Sequence, residues 1–208
     1  MTTAPQVDKS HYDFRAYGFE GRFVSYYWQL REVLSLSPTS ILEVGVGDAV
    51  FGSFVKKNTA IAYQSLDIAE DLSPDLLGSV TNIPLPDNAV DVACAFEVLE
   101  HLPFDEFERA CAELSRVSRH AFVVSLPHFG PMLALSFKIP FLSRQQWAIK
   151  IPFPKAHTFN GQHYWEIGKR GYPPSRIRSV LSQLGTVTRD FVPFNSEYHH
   201  FYVVRKAS

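Results

Sequence analysis

Short apolar strands alternate with amphipathic helices over the first 126 residues, and this alternation is the strongest constraint on the fold. The predicted strands fall at 40–44, 61–66, 79–82, 90–96 and 121–126, and the predicted helices at 19–36, 49–57, 71–77 and 103–117. Such an order predicts an α/β fold with a mostly parallel sheet and helices on both faces. A last helix at 177–184 and strands at 187–192 and 201–204 predict an antiparallel end to that sheet.

Length and composition predict one globular domain. The 208 residues are 46% apolar and 20% charged, which is typical of such domains. Two cysteines, Cys94 and Cys111, are too few for a disulfide framework and indicate a reducing compartment. No apolar run reaches about 18 residues, and residues 1–14 lack an apolar leader core, so we expect a cytoplasmic protein without a membrane span.

Basic and acidic residues nearly balance, at 20 and 21, so we expect no nucleic-acid partner. The stretch from Leu114 through Trp165 nevertheless contains no Asp or Glu. Its basic residues are Arg116, Arg119, Lys138, Arg144, Lys150 and Lys155. Together with many apolar residues they indicate an acceptor with anionic and apolar parts, or a membrane-surface contact. A hydrophobic lid whose long basic side chains reach water is the simpler interpretation.

A glycine turn follows the first strand, at the edge where doubly wound sheets bind their ligands. Gly45 and Gly47 allow a tight turn and a close approach of ligand to backbone, and the next helix offers free N–H groups. Asp67 ends the second strand, 20 residues after Gly47, where a carboxylate can accept both ribose hydroxyls. The pattern therefore predicts a nucleoside site.

The identity of the nucleoside depends on two neighbouring positions. A dinucleotide fingerprint needs a third glycine where this chain has Val50. Glu43 adds a negative charge, which disfavours a pyrophosphate and suits a ligand with an ammonium and a sulfonium group.

These motifs resemble those of the class I S-adenosylmethionine-dependent methyltransferases. The matching pieces are ILEVGVG at 41–47, SLDI at 65–68, SVTNIPLPDNAVDVACAFEVLEHL at 79–102 and ELSRVSRHAFVVSLP at 113–127. The resemblance implies a Rossmann-like sheet, mostly parallel with an antiparallel last strand, and S-adenosylmethionine as the cofactor. Two positions depart from the family pattern, because Ala49 replaces its third glycine and Ser79 its frequent aspartate beside the adenine.

The resemblance also implies a role for each cofactor-binding residue. Gly45 and Gly47 would face the methionine part of the cofactor, and Asp67 would bind the ribose. Ser79 and Val80 would contact the adenine edge. Phe96 and Glu97 would line the methyl-bearing centre. The charge argument above adds Glu43 to the predicted cofactor-binding residues.

The acceptor side gives weaker signals, because methyl transfer mainly requires a positioned nucleophile. His128, directly after the fifth strand, and His163 are the candidate catalytic residues. We predict no metal. Glu97, Glu100 and His101 nevertheless share a face if their turn is helical. They resemble the E-x-x-E-H pattern of metal-dependent small-RNA 3′-end and ubiquinone-pathway O-methyltransferases, in which case His163 would be the fourth ligand of a divalent metal.

We divide the single domain into an arm and helix at 1–37, a cofactor-binding core at 38–127, a lid or acceptor cap at 128–165, and a closing helix and strands at 166–208. The expected function is methyl transfer from S-adenosylmethionine to an O or N of a small or lipid-linked acceptor. The alternatives are an NAD-dependent oxidoreductase of the same fold and a non-catalytic S-adenosylmethionine-binding protein. We expect no integral membrane contact, and a peripheral contact stays open.

Overall fold

A computed structural model describes residues 9–206, which contain nine strands. In chain order they are β1 Ser40–Val44, β2 Ala62–Asp67, β3 Leu76–Leu77, β4 Val90–Phe96, β5 Ser118–Pro127, β6 Met132–Phe137, β7 Gln145–Lys150, β8 Thr186–Phe191 and β9 His199–Arg205. Seven of them form one sheet in the order β3-β2-β1-β4-β5-β9-β8. The first five are parallel, and β9 runs antiparallel to both neighbours. The predicted fold class is confirmed.

Helices cover both faces of this sheet. They are α1 Phe14–Tyr17, α2 Glu20–Leu34, α3 Val50–Asn58, α4 Phe104–Val117 and α5 Pro174–Leu184, with 3-10 turns at Lys9–Tyr12, Glu70–Leu72 and Leu99–His101. Successive strand residues point to opposite faces, so the core divides into two apolar clusters. One holds Ile41, Cys94 and Val123 with α2 and α3, and the other holds Leu42, Ala93 and Val124 with α4 and α5. No helix within residues 9–206 is long and apolar enough to cross a membrane.

Two local predictions between β2 and β4 are wrong. A helix was expected over 71–77, but the chain makes a 3-10 turn and then enters β3. The backbone of Ser73 is left-handed there, with φ 53°, and the Asp75 carboxylate accepts hydrogen bonds from the Ser65 amide (2.9 Å) and hydroxyl (2.8 Å). The expected strand at 79–82 is a turn closed by a single bridge between Ser79 and Asn82.

No helix or strand was predicted over residues 129–164, where the structure has a β-hairpin. Its strands β6 and β7 pair antiparallel, with Leu133 opposite Ile149 and Leu135 opposite Trp147. They form a two-stranded sheet of their own. We call Met132–Lys150 the ribbon.

After the ribbon, Trp165 anchors the chain to α4. Its side chain is fully buried, its ring meets Phe104 and Phe107 edge-on at 5.0 Å, and its Nε1 donates to the Leu102 carbonyl at 3.1 Å. At the end of β5 the Ile167 N–H donates to the Pro127 carbonyl at 2.9 Å, and the Ile167 carbonyl accepts the Phe129 N–H at 2.8 Å. These contacts fix the segment that carries His163.

Replacing the buried tryptophan tests this anchor. Trp165→Ala should lower the free energy of unfolding by about 3–5 kcal/mol, because it removes a buried aromatic ring and a hydrogen bond. The same change at Trp147, which is 56% exposed on the ribbon, should cost less than about 1 kcal/mol. Urea denaturation of both variants measures the difference, and equal losses would contradict the anchor.

Candidate functional site

A cavity lies at the carboxyl ends of β1, β2 and β4, with ≈ 910 Å³ of empty space that opens to solvent. Its lining includes seven of the predicted cofactor residues: Gly45, Gly47, Asp67, Ser79, Val80, Phe96 and Glu97. The individual contacts of these residues with a cofactor stay predictions.

The turn after β1 depends on glycine. Gly45 has φ 86°, and a Cβ at this position would overlap the Val98 side chain. Its N–H donates to the Leu66 carbonyl at 2.9 Å, which ties the turn to β2. Gly47 (φ 52°) and Ala49 (φ 60°) are also left-handed, so Ala49 adopts a backbone conformation that favours glycine.

Asp67 joins the two sides of this edge. Its Oδ2 accepts the Val46 N–H at 2.7 Å, and its Oδ1 accepts the Ala69 N–H at 2.9 Å. Each carboxylate oxygen has a further lone pair, so both can still accept a ligand hydroxyl. The carboxylate therefore fixes the glycine turn and faces the cavity at once.

Glu43 lies behind the turn and is not among the described residues that line the cavity. Its buried carboxyl accepts a hydrogen bond from the Tyr63 hydroxyl. Burial raises the pKa of Glu43 to about 8, so the carboxyl is mostly protonated at neutral pH. The charge argument against a pyrophosphate therefore does not hold, and Val50 alone carries that argument.

Two tyrosines that sequence reasoning missed complete the outer wall. Tyr12 and Tyr17 line the cavity from the arm, and their rings meet edge-on at 5.0 Å. The Arg22 guanidinium lies over the Tyr17 ring at 4.1 Å. The signal available was the aromatic spacing in HYDFRAY, which we took for a loose arm. The structure makes two short helical turns there, and residues 1–8 of the arm lie outside the described residues.

Glu97 follows β4, and it lines the cavity. Its backbone is left-handed (φ 56°), and its N–H donates to the Ser125 carbonyl at 3.0 Å. The Ser125 hydroxyl donates to Oε1 at 2.9 Å, and His199 Nε2 lies 3.9 Å from Oε2. Burial raises the pKa of Glu97 to about 7, so the group can both take and release a proton near neutral pH.

A buried polar cluster continues behind Glu97. Both carboxylate oxygens of Glu100 are buried without a hydrogen-bond partner, and His163 Nε2 is 3.9 Å from one of them. Burial and the neighbouring Glu97 raise the pKa of Glu100 well above its usual value. Ligand atoms of Glu100, His101 and His163 all lie within 4.8 Å of one another, which suits a divalent cation.

The two histidines of this cluster have different surroundings. His101 lines the cavity, its Nδ1 faces the Gln162 carbonyl at 3.1 Å, and burial lowers its pKa to about 4. His163 is not one of the described lining residues, and its Nδ1 is 3.2 Å from the Glu166 carboxylate. A direct catalytic role for His163 stays a prediction, while its place beside Glu100 is clear.

His128 belongs to a different network. Its Nδ1 is 2.8 Å from Nδ1 of His200, whose Nε2 faces Asp190 at 2.7 Å. The two imidazoles stack at 5.0 Å between β5 and β9, and burial lowers the pKa of His128 to about 3. His128 is absent from the described cavity lining. Its predicted catalytic role thus has no contact with the cavity to support it.

Comparison with known proteins agrees with this geometry. The sequence profile of a methyltransferase domain matches residues 42–121, which run from β1 into β5. Over these residues the chain is similar to methyltransferase domains. No curated protein sequence matches this chain significantly.

Solved structures of methyltransferases share the fold of this chain at low identity. Magnesium protoporphyrin IX methyltransferase from Synechocystis PCC 6803, solved with bound SAH, is 13% identical, with 99% of this chain and 90% of that one covered at TM-score 0.58. The 1,6-didemethyltoxoflavin-N1-methyltransferase of Burkholderia thailandensis is 14% identical, with a TM-score of 0.58. The match covers 99% of this chain and 93% of that one. The small RNA methyltransferase HEN1 is 14% identical, with a TM-score of 0.63. The match covers 91% of this chain but only 26% of HEN1.

The left-handed alanine in the turn gives a prediction of unusual sign. Ala49→Gly should raise the free energy of unfolding by about 0.5–1 kcal/mol, because relief of the positive φ exceeds the entropy cost of glycine. Ala112→Gly, on the exposed face of α4, should instead lower it by about 1 kcal/mol. Thermal or urea denaturation compares them, and destabilisation by both would contradict the assignment of strain to Ala49.

Proposed function

We propose that this protein transfers the methyl group of S-adenosylmethionine to an O or N atom of a small or lipid-linked acceptor. The observation that carries the proposal is the cavity between the glycine turn, Asp67 and Glu97. In it the backbone at Gly45 and Gly47 would face the methionine part, and the Asp67 carboxylate would accept the ribose hydroxyls.

The transfer itself is a displacement at a carbon that the sulfonium already activates. The acceptor atom forms a bond to the methyl carbon as the carbon–sulfur bond breaks, and S-adenosylhomocysteine leaves as a neutral thioether. The protein therefore contributes mainly position, with the acceptor held in line with the carbon–sulfur bond.

A hydroxyl or protonated amine acceptor must also lose a proton. We assign this proton to Glu97, because its pKa of about 7 suits a base at neutral pH and the residue lines the cavity. Ser125 holds Oε1, which leaves Oε2 to receive the proton. This role is more specific than the lining role implied by the family resemblance.

The adenine end is supported less by Ser79 than by its neighbours. The Ser79 hydroxyl is 2.9 Å from the Thr81 hydroxyl and accepts the Thr81 N–H at 3.2 Å. These bonds occupy most of the donor and acceptor sites of the Ser79 hydroxyl, so few remain for an adenine. We therefore assign the adenine edge to Val80 together with Ser79.

Two other functions remain to be tested against this one. Val50 stands where a dinucleotide-binding fingerprint needs its third glycine, which argues against an NAD-dependent oxidoreductase. Binding of NADH without binding of S-adenosylhomocysteine would favour the oxidoreductase. A non-catalytic cofactor-binding protein would transfer no label from methyl-labelled S-adenosylmethionine to crude metabolite or lipid extracts. A labelled product excludes it and identifies the acceptor class.

The ribose contact can be measured without knowing the acceptor. Asp67→Ala should weaken S-adenosylhomocysteine binding by about 1.5–3 kcal/mol, the range for losing hydrogen bonds to a charged group. Titration calorimetry measures this loss. Glu70→Ala, which removes an exposed acid three residues further on, is the matched control and should bind like the parent. Unchanged affinity in Asp67→Ala would remove the ribose assignment.

A metal-assisted reaction is the second candidate, and the unpaired Glu100 carboxyl favours it. The residues present fit a divalent ion, which Glu100, His101 and His163 would hold. Such an ion would lower the pKa of an acceptor hydroxyl and neutralise the buried carboxylates.

The second candidate predicts that Mn²⁺ raises the thermal midpoint of unfolding. At a free Mn²⁺ concentration of about 100 times its dissociation constant, binding raises the free energy of unfolding by about 2.7 kcal/mol. Glu100→Gln should abolish this gain, whereas Glu108→Gln, at an exposed position on α4, should keep it. If Mn²⁺ does not raise the thermal midpoint and activity survives EDTA, the metal-assisted reaction is excluded and the metal-free reaction stands.

A further inference from the structure

We propose that the ribbon docks this protein onto an anionic lipid bilayer, with its tip, residues 138–144, inserted among the headgroups. The docking needs neither cofactor nor methyl transfer, so it can fail or succeed independently of the proposed function.

The ribbon exposes an apolar face that a protein in water normally buries. Two cross-strand pairs lie on this face, with exposed fractions of 63% for Leu133 and for Ile149, 52% for Leu135 and 56% for Trp147. Side chains two apart on a strand share one face, so these pairs form a continuous stripe. An isolated two-stranded hairpin is marginal in water, and such a stripe marks a contact surface.

The tip extends this stripe outward. Phe141 is fully exposed, and Leu142 and Ile139 are about half exposed, at 55% and 47%. Phe141 has a left-handed backbone with φ 68°, in a turn where the Lys138 ammonium donates to the Leu142 carbonyl. The tip is therefore a convex apolar knob, which suits insertion into a soft interface.

Charge complementarity identifies the surface as anionic. Lys138 and Arg144 flank the knob, and Lys150 and Lys155 follow near the ribbon base. All 21 acidic residues of the chain lie outside the stretch from Leu114 through Trp165. Apolar residues bordered by cations bind where acyl chains lie beneath negative headgroups.

A second copy of the chain fits this face less well. The ribbon contains Lys138, Arg144 and Lys150 and no acidic residue, so two paired ribbons would bring cations together with no carboxylate between them. Such like-charge contacts oppose association. A bilayer instead supplies the missing negative charge and accepts the knob at the same time.

Vesicle co-sedimentation tests the docking with the full chain. We expect binding to phosphatidylcholine vesicles that contain roughly a third phosphatidylglycerol, weaker binding to pure phosphatidylcholine, and further weakening by salt. Equal binding to both vesicle types, or no binding to the anionic ones at low salt, would overturn the proposal.

Two variants separate the tip from the rest of the surface. The triple change Ile139→Ser, Phe141→Ser and Leu142→Ser should abolish binding, and the double change Lys138→Gln and Arg144→Gln should weaken it by about tenfold or more. Leu77→Ser and the double change Lys57→Gln and Arg109→Gln remove an exposed apolar residue and two cations elsewhere, and should bind like the parent.

The circular dichroism spectrum and the thermal midpoint of unfolding of each variant establish that it is folded. Binding that survives the tip changes would overturn the proposal. A concentration-dependent dimer in sedimentation velocity, lost in the triple variant and accompanied by no vesicle binding, would replace the bilayer with a second copy of the chain.

Discussion

The hydrogen bonds that hold the glycine turn against the end of β2 are the constraint on which the site depends. The Gly45 N–H donates to the Leu66 carbonyl, and the Val46 N–H donates to the Asp67 carboxylate. These bonds tie the turn to the end of β2, and a side chain at Gly45 would overlap that of Val98, which also lines the cavity. The Asp67 carboxylate thus holds the turn in place and lines the cavity.

The second constraint is electrostatic. Three acidic side chains, Glu43, Glu97 and Glu100, are withdrawn from water around one edge of the sheet, and burial raises the pKa of each. Such groups reduce stability unless they are protonated, paired or bound to a cation. Glu43 has Tyr63 and Glu97 has Ser125, whereas neither oxygen of Glu100 has a hydrogen-bond partner. The asymmetry marks the acceptor side as the part of the fold that favours function over stability.

The sheet could be predicted from the sequence because its strands are buried on both faces and separated by helices with clear periodicity. The bounds of β1 and β4 were predicted to the residue. The cavity could be predicted from Gly45, Gly47 and Asp67 because turn chemistry is local. The charge state of Glu43 could not, since it depends on the depth at which Tyr63 and α3 bury it.

The other misses also have tertiary causes. The segment 71–77 has apolar residues that suit a short helix, yet Asp75 binds back to Ser65 and the chain extends into β3. The ribbon went unassigned because prolines and apolar residues on both sides obscured its period. His128 was placed correctly at the end of β5, but only the neighbouring β9 shows that its ring faces His200.

The arm that supplies Tyr12 and Tyr17 has a consequence for access to the cavity. The outer wall of the cavity is built from two short helical turns at the start of the described chain, whereas its floor belongs to the rigid sheet. Displacing this small segment would open the outer wall while every strand stays in register. Access to the cavity from this side therefore rests on aromatic contacts among a few side chains rather than on the hydrogen bonds of the sheet.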